Sequence, residues 1–300
     1  MKLLFTSVGR RVELIQAFRT AARKNNINLA IYGADVSTSA PALFFCDKTV
    51  IVPRISEDGY IPTLLEVCKK EKINALIPTI DTDLLILSQN KKTFHEIETE
   101  VVISDSDKIT ICRDKRLTTA FFESCGLCCP KTCDNYKEYK DGFPAFIKPK
   151  DGSSSINAFK ILNLEELEAY AHKIQDYIIQ PFIEGTEYTV DAFCDFDGKP
   201  IFITPRIRLA VRSGEVLKTK ITQDETIISE MKSLINRYKP CGQITVQLIR
   251  QKNTNKDFYI EINPRFGGGA PLSIKAGADS AEALLKIISG QKLHYIPNAA

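Results

Sequence analysis

The 300-residue sequence lacks the features of membrane, secreted and nucleic-acid-binding proteins. It has no apolar run long enough to cross a bilayer, and its N-terminal stretch KLLFTSVGRR has neither the long apolar region nor the cleavage site of a signal peptide. The net charge is only +3, because 40 basic residues are offset by 37 acidic ones. A balance of this kind argues against a nucleic-acid partner. We therefore expect a cytoplasmic globular protein with no membrane or nucleic-acid partner.

A glycine-rich dinucleotide fingerprint is also missing. The turn SVGRR, between the first predicted strand and the first predicted helix, contains the single glycine Gly9 followed by two arginines. Asp35, at the end of the second predicted strand, resembles a ribose-binding acid, but without the glycines this signal is weak. The pattern argues against a nicotinamide-dependent oxidoreductase and favours a Rossmann-like scaffold that binds no dinucleotide.

Cysteine is present without a complete metal motif. Four of the nine cysteines, in CGLCCPKTC, are Cys125, Cys128, Cys129 and Cys133. A zinc site would need a fourth ligand of suitable spacing, yet there is no second CxxC pair and the three histidines are far away in sequence. Free thiols in a helix-to-strand connection are therefore favoured over zinc. The odd number of cysteines favours a reducing compartment.

The order of predicted elements indicates an α/β unit followed by α+β units. Short apolar runs alternate with helical periodicity over the first hundred residues, which predicts a parallel, doubly wound sheet. Later runs are mostly antiparallel, with a hairpin signal at Asp197-Gly198. The length suggests two or three packed units, and we place them at residues 1–108, 109–183 and 184–300.

The stretch FYIEINPRFGGGAP is a buried strand that ends in polar residues. Because successive side chains of a strand point to opposite faces, Glu261, Asn263 and Arg265 would share one face. Gln247 lies on what we predict to be a neighbouring strand. Magnesium accepts a few oxygen ligands supplemented by phosphate, so we predict a magnesium–phosphate site here. Gly267 to Gly269 would leave room for an acceptor.

A second candidate phosphate element is the strand FPAFIKP and the loop after it. Lys148 closes the strand, and the loop KDGSSS contains small residues whose backbone N–H groups and hydroxyls could approach phosphate oxygens. This is no Walker A motif, since the lysine precedes the loop. The alternative is an ordinary hairpin loop.

The segment IIQPFIEGTEYTVD combines two predicted strands with a break at Pro181 and Gly185. A bend of this kind exposes backbone groups that could bind an adenine edge. Glu187, just beyond the bend, could hold ribose hydroxyls. An ordinary connection with solvated glutamates is the alternative.

Arginines are evenly spaced in TPRIRLAVRSGEV. Arg206, Arg208 and Arg212 would share one strand face, which would suit a carboxylate or phosphate group of a substrate. The alternative is a solvated basic face. Arg10 and Arg11, in the N-terminal turn, are expected to reach the same cleft.

Taken in order, Lys115, Lys148 with its loop, the IIQPFIEGTEY hinge, Gln247 and EINPR resemble the ATP-grasp superfamily. Within it, the chain is similar to short proteins that match one ATP-grasp half of the carbamoyl-phosphate synthase large subunit. The resemblance covers nearly the whole chain. It implies a Rossmann-like pre-ATP-grasp domain in residues 1–108, a lid subdomain in 109–183 and a C-terminal subdomain in 184–300.

The resemblance also implies roles for individual residues. Arg265 and Lys148 would be catalytic, with Arg265 stabilising the transferred phosphoryl group. Gln247, Glu261 and Asn263 would bind Mg²⁺ or Mn²⁺. Arg206, Arg208, Arg212 and Arg10 would face the substrate. The residues implied to bind ATP are Lys115, Lys148, Ser153, Ser154, Ser155, Gln180, Phe182, Ile183 and Glu187.

The activity that the resemblance implies is that of an ATP-dependent ligase. Such enzymes phosphorylate a small-molecule carboxylate and let an amine or similar nucleophile displace the phosphate, largely by positioning and charge neutralisation. A homodimer is the default expectation. The alternatives are a carbamoyl-phosphate-synthase-like subunit that works with a partner chain and a non-catalytic ATP-binding module. Two departures from the family are Pro181, where many relatives have an acid, and the presence of only one ATP-grasp half.

Overall fold

The computed structural model of the chain describes residues 1–152, 156–212 and 214–300. Its N-terminal part alternates strands and helices, and the sheet is parallel with strand order 3-2-1-4-5. The predicted parallel, doubly wound sheet is thereby confirmed. The elements are β1 (Lys2–Thr6), α1 (Val12–Lys24), β2 (Ala30–Asp35), a 3-10 helix (Pro41–Phe45), β3 (Lys48–Ile51), α2 (Tyr60–Glu71), β4 (Ala75–Pro78), α3 (Leu84–Gln89), α4 (Lys91–Glu96) and β5 (Glu100–Val101).

Helices cover both faces of this sheet because its central strands are apolar on both faces. On β1, Leu3 and Phe5 pack into a core that includes Phe18 of α1, whereas Leu4 packs on the other face with Leu64 of α2. Buried strands of a parallel sheet read as continuous apolar runs for this reason. The polar side chains at the carboxyl ends of β1 and β4 are left to face a cleft.

A second part of the chain is a small three-stranded antiparallel sheet, with strand order 7-6-8. Leu167 packs against Ala145 and Ile147 on one face of this sheet. The elements of this part are α5 (Ser106–Arg113), α6 (Lys115–Ser124), a 3-10 helix (Tyr136–Glu138), β6 (Ala145–Pro149), β7 (Phe159–Ile161), α7 (Leu164–Lys173) and β8 (Tyr177–Pro181).

The last part is a five-stranded antiparallel sheet with strand order 11-10-9-12-13, covered on one face by a long amphipathic helix. The helix begins at the side-chain cap of Asp224, which accepts from the Ile227 N–H. The elements are β9 (Gly185–Cys194), β10 (Pro200–Arg212), β11 (Glu215–Ile221), α8 (Glu225–Tyr238), β12 (Gly242–Gln251), β13 (Asp257–Asn263), α9 (Ala270–Lys275) and α10 (Ser280–Ile288).

The chain returns to the N-terminal sheet after β13. Phe266 is buried in the same core as Phe5 and Phe18, and its ring centroid lies 5.8 Å from that of Phe18. Leu284 of α10 belongs to this core as well. This packing fixes the end of β13 beside the N-terminal strand ends. The mixed α/β and α+β fold class is confirmed, and the domain boundaries stay predictions. Within the described ranges, no helix is long and apolar enough to cross a membrane.

Candidate active site

The three parts of the chain enclose one large cleft of about 820 Å³. One wall is formed by the N-terminal turn and the segment after β4, a second by β6 and the start of its loop, and the third by the antiparallel sheet. Ligands of open α/β sheets bind outside the carboxyl ends of the strands, and the first wall is such an edge. The cleft is therefore bounded on one side by the kind of edge at which such sheets bind ligands.

The predicted metal ligands are brought together at the third wall. The register of β12 and β13 places Gln247 opposite Glu261. Gln247 Nε2 donates to Glu261 Oε1 at 2.5 Å, and Asn263 Nδ2 donates to the same oxygen at 3.0 Å. All three side chains line the cleft. They provide one carboxylate and two amides, each carrying oxygen.

This donor set fits Mg²⁺, which prefers oxygen ligands and usually keeps several positions for water and substrate phosphates. Carboxylate and carbonyl oxygens are also suitable ligands for Mn²⁺. Within residues 1–152, 156–212 and 214–300, no group of three His, Cys, Asp or Glu side chains could hold a metal by itself. The charge of a bound cation would therefore be balanced mainly by the phosphates.

Arg265 follows β13 and is held between the two sheets. Its Nη2 atom lies 2.5 Å from Oδ2 of Asp81, which comes just after β4. Its Nη1 donates to the Phe266 carbonyl at 3.4 Å. The Nε atom is buried and has no hydrogen-bond partner in the described part of the chain. A guanidinium has five N–H donors, so the Nη atoms keep further N–H groups beyond these two contacts.

Lys148 closes β6 and is only 8% exposed. Burial lowers the pKa of its ammonium to about 8; the Glu261 carboxylate opposes this shift and Lys115 adds to it. Phe146 lies two residues earlier on the same strand face, and Lys148 Nζ is 5.9 Å from the centroid of its ring. An anionic ligand would stabilise the charged form of this lysine.

Lys115 connects α6 to the predicted phosphate loop. Its Nζ donates to the Gly152 carbonyl at 2.9 Å, and burial lowers the pKa of the ammonium. Its backbone N–H donates to the Lys150 carbonyl at 2.9 Å. The lysine is thereby placed at the start of the loop. The predicted loop residues Ser153, Ser154 and Ser155 lie outside the described residues.

The hinge differs in part from the prediction. Gln180 is buried, and its Nε2 donates to Thr132 Oγ1 at 2.9 Å, so its side chain supports the lid instead of contacting the cleft. The backbone N–H of Phe182 donates to the Pro144 carbonyl at 3.1 Å and is not available to adenine. The Phe182 carbonyl and the backbone of Ile183 stay candidates. Glu187 lines the cleft, and its contact with ribose stays a prediction.

Among the described residues, the even spacing of the three arginines does not bring all of them to the cleft. Arg206 is 1% exposed and forms a bidentate pair with Asp191, with Nε–Oδ2 at 2.7 Å and Nη2–Oδ1 at 3.1 Å. A shift of register in β10 after Arg208 interrupts the alternation. Val211 consequently lines the cleft, whereas Arg212 does not. Arg208 lies at the cleft wall, and its Nη1 donates to Gln247 Oε1 at 2.6 Å.

The glycine run also serves the protein's own packing. A Cβ atom on Gly269 would lie 2.8 Å from Cζ of Arg206, and one on Gly267 would lie 2.9 Å from Oγ1 of Thr245. Both separations are too short for real contacts. The glycines allow the loop to pass over the buried Arg206–Asp191 pair, in addition to any space they leave for an acceptor.

The N-terminal turn contributes Arg10 and Arg11 to the cleft, as expected. Arg11 Nη2 donates to the Thr79 carbonyl at 3.3 Å. The acid that resembled a ribose ligand, Asp35, instead accepts from the backbone N–H of Gly9 at 2.9 Å and fixes the turn. This contact stabilises the turn that follows β1.

Several cleft residues were not among the site residues predicted from the sequence. Phe146, Ile249 and Ile260 add apolar surface that suits a flat ring. Ile260 and Glu261 both line the cleft because a bulge in β13, between Glu261 and Tyr259, breaks the alternation. The strand-face argument could have found Phe146, which lies two residues from Lys148. Nothing local indicates the bulge.

Sequence comparisons place most of the chain in two known kinds of domain. Residues 112–269 match the family described as ATP-grasp domain, and residues 3–102 match the family described as PylC-like, N-terminal domain. No curated protein sequence matches the chain significantly.

Solved structures similar to this chain include a biotin carboxylase domain, a synthetase and an amino acid ligase. The biotin carboxylase domain of 2-oxoglutarate carboxylase from Hydrogenobacter thermophilus, a dimer in complex with MgADP, ADP and bicarbonate, has a TM-score of 0.79 at 16% identity over 98% of this chain and 70% of that one. N5-carboxyaminoimidazole synthetase from Staphylococcus aureus has a TM-score of 0.77 at 15% identity, over 97% of this chain and 78% of that one. L-amino acid ligase from Bacillus licheniformis has a TM-score of 0.73 at 14% identity, over 96% of this chain and 74% of that one. At these identities the likeness establishes the fold.

Proposed function

This chain belongs to the ATP-grasp family, and we propose that it is an ATP- and Mg²⁺-dependent ligase that activates a carboxylate as an acyl phosphate for attack by an amine or similar nucleophile. The superfamily predicted from the order of the motifs is confirmed. The observation that carries the proposal is the convergence on one cleft of three oxygen-bearing side chains, Gln247, Glu261 and Asn263, with Arg265 and Lys148 beside them.

The charge of the cleft supports a polyanionic substrate. Among the described residues that line it, seven carry basic side chains and three carry acidic ones. Clefts dominated by one sign of charge concentrate oppositely charged ligands. The basic residues are Arg10, Arg11, Lys115, Lys148, Arg206, Arg208 and Arg265, and the acidic ones are Asp81, Glu187 and Glu261.

In the proposed mode of binding, each wall holds a different part of ATP. The apolar side chains of Phe146, Ile249 and Ile260 would pack against adenine, and Glu187 would accept hydrogen bonds from the ribose hydroxyls. Lys115 and Lys148 would contact the phosphates. Both lysines are largely desolvated, so their attraction to phosphate oxygens is stronger than at an exposed surface.

Gln247, Glu261 and Asn263 would hold the metal ion through their side-chain oxygens. When bound, Mg²⁺ neutralises charge on the β- and γ-phosphates and orients them. The two amides now donate to Glu261, so their oxygens would have to turn toward the ion. Side-chain amides can do so by rotation about one bond.

The transfer step needs positioned charge and no side-chain nucleophile. A carboxylate oxygen of the substrate attacks the γ-phosphorus, the bond to the β-phosphate oxygen breaks, and ADP leaves with that electron pair. The N–H groups of Arg265 and the ammonium of Lys148 would stabilise the charge on the moving phosphoryl group. An amine then attacks the acyl carbon, and inorganic phosphate leaves.

Release of ADP that depends on both an acid and an amine tests this function. We expect a panel of small carboxylates and amines to contain a pair that raises ADP formation well above the rate with either alone. Arg265→Ala should lose this turnover and still bind ADP. Absence of acid-dependent turnover across a broad panel, with intact nucleotide binding, would instead favour a non-catalytic nucleotide-binding module.

We also propose the setting in which the enzyme works. All nine cysteines carry free thiols, which suits a reducing cytoplasm. The substrates would be small molecules, because the cleft is enclosed by three walls of one chain. A homodimer is proposed from the dimer described for the 2-oxoglutarate carboxylase domain.

A further inference from the structure

Arg208 is a buried arginine at the wall of the cleft, with a side chain that is only 6% exposed. Its Nη1 donates to Gln247 Oε1 at 2.6 Å, and its Nη2 donates to the Gly214 carbonyl at 2.9 Å. Its Nε lies 3.4 Å from Oε2 of Glu187 and has no hydrogen bond within the described residues. The guanidinium of Arg208 therefore contacts Gln247, a proposed metal ligand, and lies beside Glu187, which is proposed to bind ribose.

The contact with Gln247 uses the atom that a metal needs. A neutral amide binds Mg²⁺ through its oxygen, because its nitrogen carries two N–H donors. Here that oxygen accepts from Arg208, while the amide nitrogen donates to Glu261. A divalent cation on the same oxygen would lie close to the guanidinium, because Nη1 is only 2.6 Å from that oxygen, and like charges so close in a buried site repel strongly.

Resting on the proposed function, we propose that Arg208 is a positioning residue that occupies Gln247 in the free enzyme and must leave it before the metal–nucleotide complex binds. Released from Gln247, the guanidinium faces the cleft, where a carboxylate oxygen of the substrate replaces the amide as its acceptor. Metal binding and reorientation of Arg208 are thus one coupled event.

The experiment compares the Mn²⁺ requirement of nucleotide binding in two variants. Arg208→Met keeps a long side chain and removes the donor, and Arg237→Met is the matched control at an exposed position of α8. Bound Mn²⁺ is followed by electron paramagnetic resonance and bound ADP by calorimetry. We expect the half-saturating Mn²⁺ concentration of Arg208→Met to fall about tenfold, the effect of losing one charge-assisted contact that competes with the metal. Arg237→Met should match the unmodified protein.

The direction of the change decides the proposal. A half-saturating Mn²⁺ concentration that is unchanged or higher in folded Arg208→Met overturns it, because the arginine would then support the metal site. Arg208→Lys keeps the positive charge but lacks the planar guanidinium, so its half-saturating Mn²⁺ concentration should fall by less. It decides the question in the same way if Arg208→Met does not fold. If the unmodified protein binds neither Mn²⁺ nor ADP, the proposed function fails and the inference with it.

Discussion

Oδ2 of Asp81 and Nη2 of Arg265 lie 2.5 Å apart although 184 positions separate the two residues. The pair joins the carboxyl end of the parallel sheet to the end of β13, at the point where Arg265 faces the cleft. It holds a guanidinium with few degrees of freedom beside the proposed metal ligands Gln247, Glu261 and Asn263. This relationship makes the N-terminal part of the chain a contributor to the proposed phosphoryl transfer.

Asp81→Asn is expected to lower acid-dependent ADP formation by about tenfold to a hundredfold, because a misplaced catalytic group costs rates of this order. ADP binding should change little, since Arg265 acts on the transferred phosphoryl group. Steady-state kinetics and calorimetry measure the two effects. The control is Asp105→Asn, which removes an exposed carboxylate that pairs with Lys91 and should have no effect. Equal activity of both variants would show that Arg265 needs no such partner.

Nucleotide affinity should depend on pH through Lys148. The pKa of its ammonium is lowered to about 8 in the free protein, and bound phosphates would raise it. Below pH 8 the lysine is charged with or without ligand, so affinity stays level. As the pH rises above 8 the free form loses its proton, and affinity should fall by up to about tenfold per pH unit until the pKa of the complex is reached.

Calorimetry of ADP binding between pH 7 and 10, in buffers of different ionisation enthalpy, would measure the associated proton uptake. Lys148→Arg is the matched variant, since arginine stays charged throughout this range. Its affinity should depend less on pH over the same interval, because Lys115 is then the only one of the two lysines that titrates. A profile in the unmodified protein that is as flat as that of Lys148→Arg would place the titration elsewhere.

Stability, in contrast, should depend on the buried Arg206 more than on an exposed arginine. Arg206→Ala leaves Asp191 as an unpaired buried carboxylate, and breaking a buried pair typically costs about 3–5 kcal/mol. Urea unfolding followed by circular dichroism measures the loss. Arg237→Ala, at an exposed position, should change the free energy of unfolding by less than about 0.5 kcal/mol. A similar small change for Arg206→Ala would mean that Asp191 finds another partner.

The fold and part of the site were predictable because they depend on local patterns. Strand–helix alternation indicated the parallel sheet. The two-residue spacing of Glu261, Asn263 and Arg265 was enough to place all three on the cleft. The order of motifs along the chain indicated the family. In each case the signal lies within a few residues, or in sequence order, and needs no knowledge of long-range pairing.

Other features could not be predicted because distant segments determine them. Asp81 becomes the partner of Arg265 only through the packing of Phe266 into the N-terminal core. The burial of Arg206 depends on Asp191, which lies on the neighbouring strand. Bulges in β10 and β13 change which side chains reach the cleft, and the sequence carries no marker for either. The prediction from alternating side-chain direction therefore failed for Arg212, which follows a bulge, and placed Asn263 correctly at the cleft.

The most direct test of the central claim is the Mg²⁺ dependence of ADP binding in the unmodified protein and in Glu261→Gln. We expect Mg²⁺ to strengthen ADP binding to the unmodified protein, because Glu261 supplies the carboxylate among the three proposed metal ligands. Glu261→Gln should bind ADP with little response to Mg²⁺. An equal response to Mg²⁺ in the two proteins, or no binding of ADP to either, would contradict the assignment of this cleft as a magnesium–nucleotide site.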